Sequence, residues 1–143
     1  GLAPHHLWLE VTETALVEEV GRATAVLDRL AAIGVRFAID DFGTGWASLT
    51  YLQRFPIHEL KIDRSFVAGV GHNANDTAIA RSIIALGAEL DLVVIAEGIE
   101  TVEQMTALQG LGCAYGQGYL FGHPAPADAH AAVIEGARRL VLG

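Results

Sequence analysis

Short apolar runs rich in branched residues recur along the chain at 7–11, 35–39, 60–62, 92–96 and, less regularly, 113–119. Runs of this length with little polar alternation read as strands covered on both faces. Between them the apolar positions take up a helical period. Val20, Ala23, Leu27 and Leu30 share one helix face, as do Leu49, Leu52 and Phe55, then Ile79, Ile83, Leu86 and Leu90, then Met105, Leu108 and Leu111. The chain therefore reads strand, helix, strand, helix, repeated.

Punctuation falls between these segments. Gly34 sits where the first helix should stop, Pro56 where the second should, and Thr101 with Gln104 has the spacing of a capping box. A closing helix over 128–140, with Val133, Ile134, Ala137 and Leu140 on one face, completes a fifth βα unit. Five units are too few for an eight-stranded barrel. The alternation fits part of a (β/α) barrel or an open doubly wound sheet, and in both the ligands bind beyond the carboxyl ends of the strands.

Composition narrows this. With 143 residues, 52% of them hydrophobic, the chain can bury one core and is one domain or a piece of one. A formal charge of −8 argues against gripping a nucleic-acid polymer by its phosphates, which needs a cationic surplus. Cys113 is the single cysteine, so no internal disulfide or Cys-rich zinc site forms, as expected of a cytoplasmic protein. No run reaches the roughly 20 apolar residues of a membrane helix, and the first residues lack the order of a signal peptide. The opening Gly1-Leu2-Ala3-Pro4, so close to the first strand, suggests an excerpt of a longer chain.

The acids carry the chemistry. Glu10 and Glu13 close the first expected strand, Asp40 and Asp41 the second, Asp63 the third, and Glu97 and Glu100 the fourth, while Lys61 lies inside the third and Gln117 in the fifth. On parallel neighbouring strands these side chains would converge, and the carboxylates would repel one another unless positive charge lies between them. Divalent cations are the simplest such charge, and carboxylate oxygens suit Mg²⁺ or Mn²⁺. A cluster with a shared acid is the geometry of in-line displacement at phosphorus, so the acids point to metal-assisted phosphoester hydrolysis.

Each feature also has a plainer reading. A single acid at a strand end can cap the next helix or form a salt bridge, although capping explains only one of the adjacent pair Asp40-Asp41. Lys61 in an apolar strand is either paired for structure or used to orient water or phosphate. The Gly43-Thr44-Gly45 turn could cradle phosphate or set a mobile loop carrying Asp41. His5, His6, His58, His72, His123 and His130 lack metal-ligand spacing and read as surface residues. Tyr51, Phe55 and Phe66 read as core rather than as a base-stacking platform.

Five strings then carry a family resemblance across nearly the whole chain: Leu9-Glu10-Val11-Thr12-Glu13, Asp40-Asp41-Phe42-Gly43-Thr44-Gly45, Leu60-Lys61-Ile62-Asp63-Arg64-Ser65-Phe66-Val67, Ala96-Glu97-Gly98-Ile99-Glu100-Thr101 and Gln117-Gly118-Tyr119-Leu120-Phe121-Gly122. In this order they resemble the EAL-type cyclic di-GMP phosphodiesterases. That family's domain is a barrel of about 250 residues, so the resemblance implies that residues 1–143 are the C-terminal portion of a single EAL domain, about five βα units of a TIM-like barrel. It implies that Glu10 ligates a first metal, that Asp40 is shared by two and that Asp41 holds the second. Lys61 would position the attacking water, Glu97 would bind metal or activate water, and Gln117 would contact water or phosphate. Glu13 resembles the family's loop anchor, holding the Asp41-Phe42-Gly43 loop, and Glu100 would support the site or the substrate. The implied reaction opens cyclic di-GMP to linear pGpG with two Mg²⁺ or Mn²⁺ ions.

Three departures qualify the resemblance. The Glu-Ala-Leu signature, whose Glu completes the first metal site, and an upstream Asn ligand are not in this stretch, and Ala88-Glu89-Leu90 inside a helix is no substitute. The usual Tyr-Ser-Ser is Trp46-Ala47-Ser48, and the usual Arg-Pro is His123-Pro124. Relatives dimerise and carry sensory or cyclase-like domains upstream, so a homodimer with such domains is expected. Activity is expected of the complete barrel rather than of this stretch alone. The alternatives are a degenerate, non-catalytic domain that senses cyclic di-GMP, or an interaction module that dimerises through unpaired strand edges.

Overall fold

The computed structural model describes residues 1–18, 20–45, 52 and 54–126. After a 3₁₀ turn at Pro4–His6 come β1 (Trp8–Thr12), α1 (Glu13–Glu18), α2 (Val20–Ala32), β2 (Arg36–Phe42), β3 (Glu59–Ile62), α3 (Arg64–Gly69), α4 (Ala74–Glu89), β4 (Val93–Ala96), α5 (Val102–Gly110) and β5 (Tyr115–Gly116). Most of the expected helix through Leu49, together with Tyr51, the string Trp46-Ala47-Ser48 and the closing helix at 128–140, lies outside the described residues.

All strand pairings are parallel, and the strands lie side by side in chain order, β1-β2-β3-β4-β5. That order decides between the two architectures the alternation alone left open, in favour of the barrel that the family resemblance implied. A doubly wound sheet reverses its direction of growth partway, whereas a barrel wall adds each strand on the same side of the last. The fold is thus a stretch of (β/α) barrel wall.

Side chains alternate across this wall. Phe37, Ile39, Leu60, Ile62 and Ala96 point to the helix side and are essentially inaccessible. They meet Leu27 of α2, Val67 of α3, Ala80, Ile83 and Ile84 of α4 and Leu108 of α5 in one core. Burying each large aliphatic or aromatic side chain contributes roughly 1.5–3 kcal/mol, and this layer supplies the rigidity on which the opposite, polar face depends.

Local chemistry sets the ends of the helices. Gly34 ends α2 at φ +96°, a left-handed conformation that glycine adopts at little cost. The Thr101 hydroxyl accepts the Gln104 N–H at 3.2 Å while the Gln104 carboxamide accepts the Thr101 N–H at 3.1 Å, closing the expected capping box of α5. The buried Gln104 also donates to the Ala68 carbonyl at 3.4 Å, tying α5 to α3.

Several boundaries differ from the sequence reading. β2 runs on to Phe42, so Asp40 and Asp41 lie within the strand, and Glu13 opens α1 instead of closing β1. β5 shrinks to two residues because Gly116 is followed by Gly118 at φ +158° and a turn, which leaves Gln117 just beyond the strand. The six-residue α3 was not expected, being too short to display a helical period. Among the described residues no helix is long and apolar enough to cross a membrane.

Candidate active site at the carboxyl ends of the strands

Two adjacent acids on a regular strand would face opposite sides of the sheet. The structure solves this locally. The register of β2 against β3 shifts between Ile39 and Phe42, and Asp41 takes φ +53°, the left-handed region that Asp tolerates better than most residues. The irregularity re-aims Asp41, so that carboxylate oxygens of Asp40, Asp41 and Glu97 all lie within 4.8 Å of one another. Strand β4 brings Glu97 to this point, where its N–H donates to the Ile62 carbonyl at 3.1 Å and locks it beside the end of β3.

Lys61 enters the same cluster from below. Its ammonium lies 2.8 Å from Glu10 Oε1, 3.3 Å from Asp40 Oδ1 and 2.5 Å from Glu97 Oε1, and the residue is only 5% exposed. Both readings of Lys61 from the sequence thus meet in one geometry: it is paired, and it is paired with the candidate site. Burial opposes its charge, but the hydrogen bonds to Glu10 and Glu97 outweigh that and hold it protonated well above the ordinary lysine range. So placed, Lys61 supplies donors and positive charge to the cluster.

The remaining candidates surround this centre. Gln117 donates its Nε2–H to Glu97 Oε1 at 2.6 Å. The buried Glu13 accepts the N–H groups of Gly43 at 3.1 Å and Gly45 at 3.3 Å, which pins the turn that follows Asp41. Added bulk at Gly45 would collide with the Glu13 carboxylate, at 2.8 Å. Glu100 is exposed, and its carboxylate makes no hydrogen bond or ion pair among the described residues; its N–H donates to Gln104 Oε1 at 2.8 Å. Glu10 bonds Lys61 and stands outside the close trio of Asp40, Asp41 and Glu97.

The proton affinities follow from the crowding. Desolvation raises Glu97 above the usual carboxylate range, with Lys61 opposing and Asp40 and Glu10 adding. Desolvation likewise raises Asp41, reinforced by Asp40 and Asp63. Burial would raise Asp63 too, yet the hydrogen bonds it accepts from the Ser65 hydroxyl and N–H prevail, and it ends below its ordinary value. Asp63 is thereby the N-cap of α3, the helix-capping role weighed for single acids.

The donor set suits a hard cation. Every oxygen of the trio is a carboxylate oxygen, and Asp40 Oδ1 is buried without a hydrogen bond, with the Lys61 ammonium 3.3 Å away. A buried carboxylate oxygen left in this state is costly, and a divalent ion such as Mg²⁺ or Mn²⁺ is the kind of partner that would satisfy it. The histidines offer no competing site: His5, His6, His58, His72 and His123 are exposed, and His130 lies outside the described residues. Phe55 is core, as expected, and Phe66 packs against it from the edge.

A wall of parallel strands in chain order, with carboxylates clustered at their carboxyl ends, defines the class as a (β/α)-barrel domain. Residues 1–124 match the family model of the EAL domain, and the chain belongs to that family. It is 48% identical over 127 residues to the bifunctional diguanylate cyclase/cyclic di-GMP phosphodiesterase MucR of Pseudomonas aeruginosa, covering 89% of this chain and 18% of that protein. The solved MucR phosphodiesterase in complex with c-di-GMP superposes with a TM-score of 0.84 at 48% identity, over 89% of this chain and 51% of that one. A manganese/c-di-GMP complex of Klebsiella pneumoniae BlrP1 gives a TM-score of 0.82 at 36% identity, over 87% of this chain and 32% of the other. The chain spans less than a fifth of the length of MucR.

Proposed function

We propose that the protein carrying this chain hydrolyses one phosphodiester bond of cyclic di-GMP to give linear pGpG, and that residues 1–143 are the C-terminal portion of its single EAL domain. The observation that carries this reading is the convergence of Asp40, Asp41 and Glu97 within 4.8 Å above a Lys61 ammonium that already touches three carboxylates. Membership of the EAL family and the cyclic di-GMP bound in the MucR and BlrP1 structures support the choice of substrate.

Glu10, Asp40 and Asp41 would hold two divalent ions, Mg²⁺ or Mn²⁺, with Asp40 shared between them. Such ions, when bound, lower the pKa of coordinated water and neutralise charge at phosphorus. Lys61 donates toward the attacking oxygen, and its ammonium is an electrostatic partner of the developing negative charge. Glu97 would bind metal or take the proton of the attacking water, while Gln117 holds the Glu97 carboxylate by its 2.6 Å hydrogen bond and turns its remaining polarity to water or phosphate. Glu13 keeps the turn after Asp41 in place through its two N–H contacts, and Glu100 supports the rim. The protein acts in the cytoplasm as a homodimer, with sensory or cyclase-like domains upstream; the cyclase named in MucR supports the latter.

The test is cyclic di-GMP hydrolysis with Mg²⁺ or Mn²⁺, by this chain and by the full-length protein. Turnover to pGpG by the full-length protein, abolished by EDTA and restored by Mn²⁺, is the expected result, with no turnover by residues 1–143 alone. Retained binding without turnover in the full-length protein would replace hydrolysis by a sensor role.

A further inference from the structure

Arg64 stands two residues beyond the end of the strand that carries Lys61, yet it takes no part in the carboxylate cluster. It is the first residue of α3, it is exposed, and its guanidinium makes no ion pair or hydrogen bond among the described residues. Lys61, three positions earlier, is by contrast surrounded by three carboxylates. The base of the Arg64 side chain is closely fitted to the turn that carries Glu97: a β-carbon on Gly98 would lie 2.7 Å from Arg64 Cβ, and Gly98 itself adopts φ +71°. A glycine at 98 is therefore what lets the start of α3 and the end of β4 approach each other, and it holds Arg64 beside the Glu97 turn.

Charge gives this placement a consequence. The carboxyl ends of the strands carry Glu10, Asp40, Asp41, Asp63 and Glu97 against one buried lysine. A cyclic dinucleotide has two phosphates, and the proposed divalent ions attend only the one being cleaved. The second phosphate would meet an acidic rim unless a cation faces it. Arginine is suited to this: it is permanently charged, it is weakly hydrated for its charge, and its planar fork matches two phosphate oxygens.

We propose that Arg64 is a substrate-binding residue that takes the non-scissile phosphate of the cyclic dinucleotide. This rests on the phosphodiesterase reading for the substrate, but it is tested by binding and not by turnover. Affinity for cyclic di-GMP and for 5′-GMP is measured on the full-length protein with Ca²⁺, for the wild type, Arg64→Gln and Arg64→Lys, with turnover in Mn²⁺ followed in parallel.

The expected result is a loss of about tenfold in cyclic di-GMP affinity for Arg64→Gln, the size of one charge-assisted contact. Partial rescue by Arg64→Lys, an unchanged melting temperature and an unchanged affinity for 5′-GMP, which has only one phosphate, complete the expectation. Unaltered affinity in Arg64→Gln, an equal loss for 5′-GMP, or a wild type that binds no cyclic di-GMP would overturn the proposal. Binding that depends on Arg64 without turnover would uphold it and remove the hydrolysis reading alone.

Discussion

The two faces of the same five strands behave as different materials. On β3, Leu60 and Ile62 point to the helices and are wholly buried among apolar side chains, while Lys61 between them points the other way into three carboxylates. On β2, Phe37 and Ile39 belong to the core and Asp40 to the charged cluster. Stability and chemistry are thus interleaved residue by residue. The apolar face gains by burial, whereas the polar face holds acids that repel one another and persists because the other face anchors it.

Substitutions on either face should separate these roles. Asp40→Asn in the full-length protein should reduce cyclic di-GMP turnover to background, a loss of at least about a thousandfold, without lowering the melting temperature, since one of several crowded negative charges is removed. Full activity in that variant would sink the shared-ligand assignment. Phe37→Ala, on the helix side, should cost about 3–5 kcal/mol in denaturant unfolding while leaving every site residue in place. Lys61→Ala should cost about 3 kcal/mol in metal-free protein by leaving carboxylates unpaired in a buried setting. Added Mn²⁺ should restore much of that, and a loss insensitive to Mn²⁺ would mean that the cluster does not bind the ion.

Smaller effects test the supports. Glu13→Gln should weaken the anchoring of Gly43 and Gly45 by about 1–2 kcal/mol, read as faster proteolysis near residue 45 and reduced turnover. Asp63→Ala removes the cap of α3 and should cost about 1 kcal/mol at pH 7. Because the folded state depresses the Asp63 pKa, its contribution is present above the ordinary value near 4 and is lost as pH falls through the lower folded value. The stability gap between wild type and Asp63→Ala should therefore narrow toward pH 3, and a gap that widens on acidification would contradict the assigned cap.

Much of this was legible one residue at a time. The branched apolar runs located the strands, the change of period located α2, α4 and α5, and the spacing of Thr101 and Gln104 located a cap that the structure shows closed. The placing of acids near strand ends was equally plain, because strand ends are marked by the same local switch from apolar to polar. Where Gly116 and Gly118 cut β5 short, or where α3 spans six residues, the local signal was too brief to read.

By itself, then, the sequence determined the alternation of strands and helices, the candidate acids and lysine, and the family whose strings they match, since all of these are properties of neighbours along the chain. Only the tertiary structure decided that the strands lie in chain order as a barrel wall, that β2 is irregular so that Asp40 and Asp41 face one site, and that Lys61 reaches Glu10, Asp40 and Glu97 at once. Those facts depend on register between strands and on packing between residues up to 51 positions apart. No local pattern encodes them, because the free energy that selects one register is shared by the whole buried face.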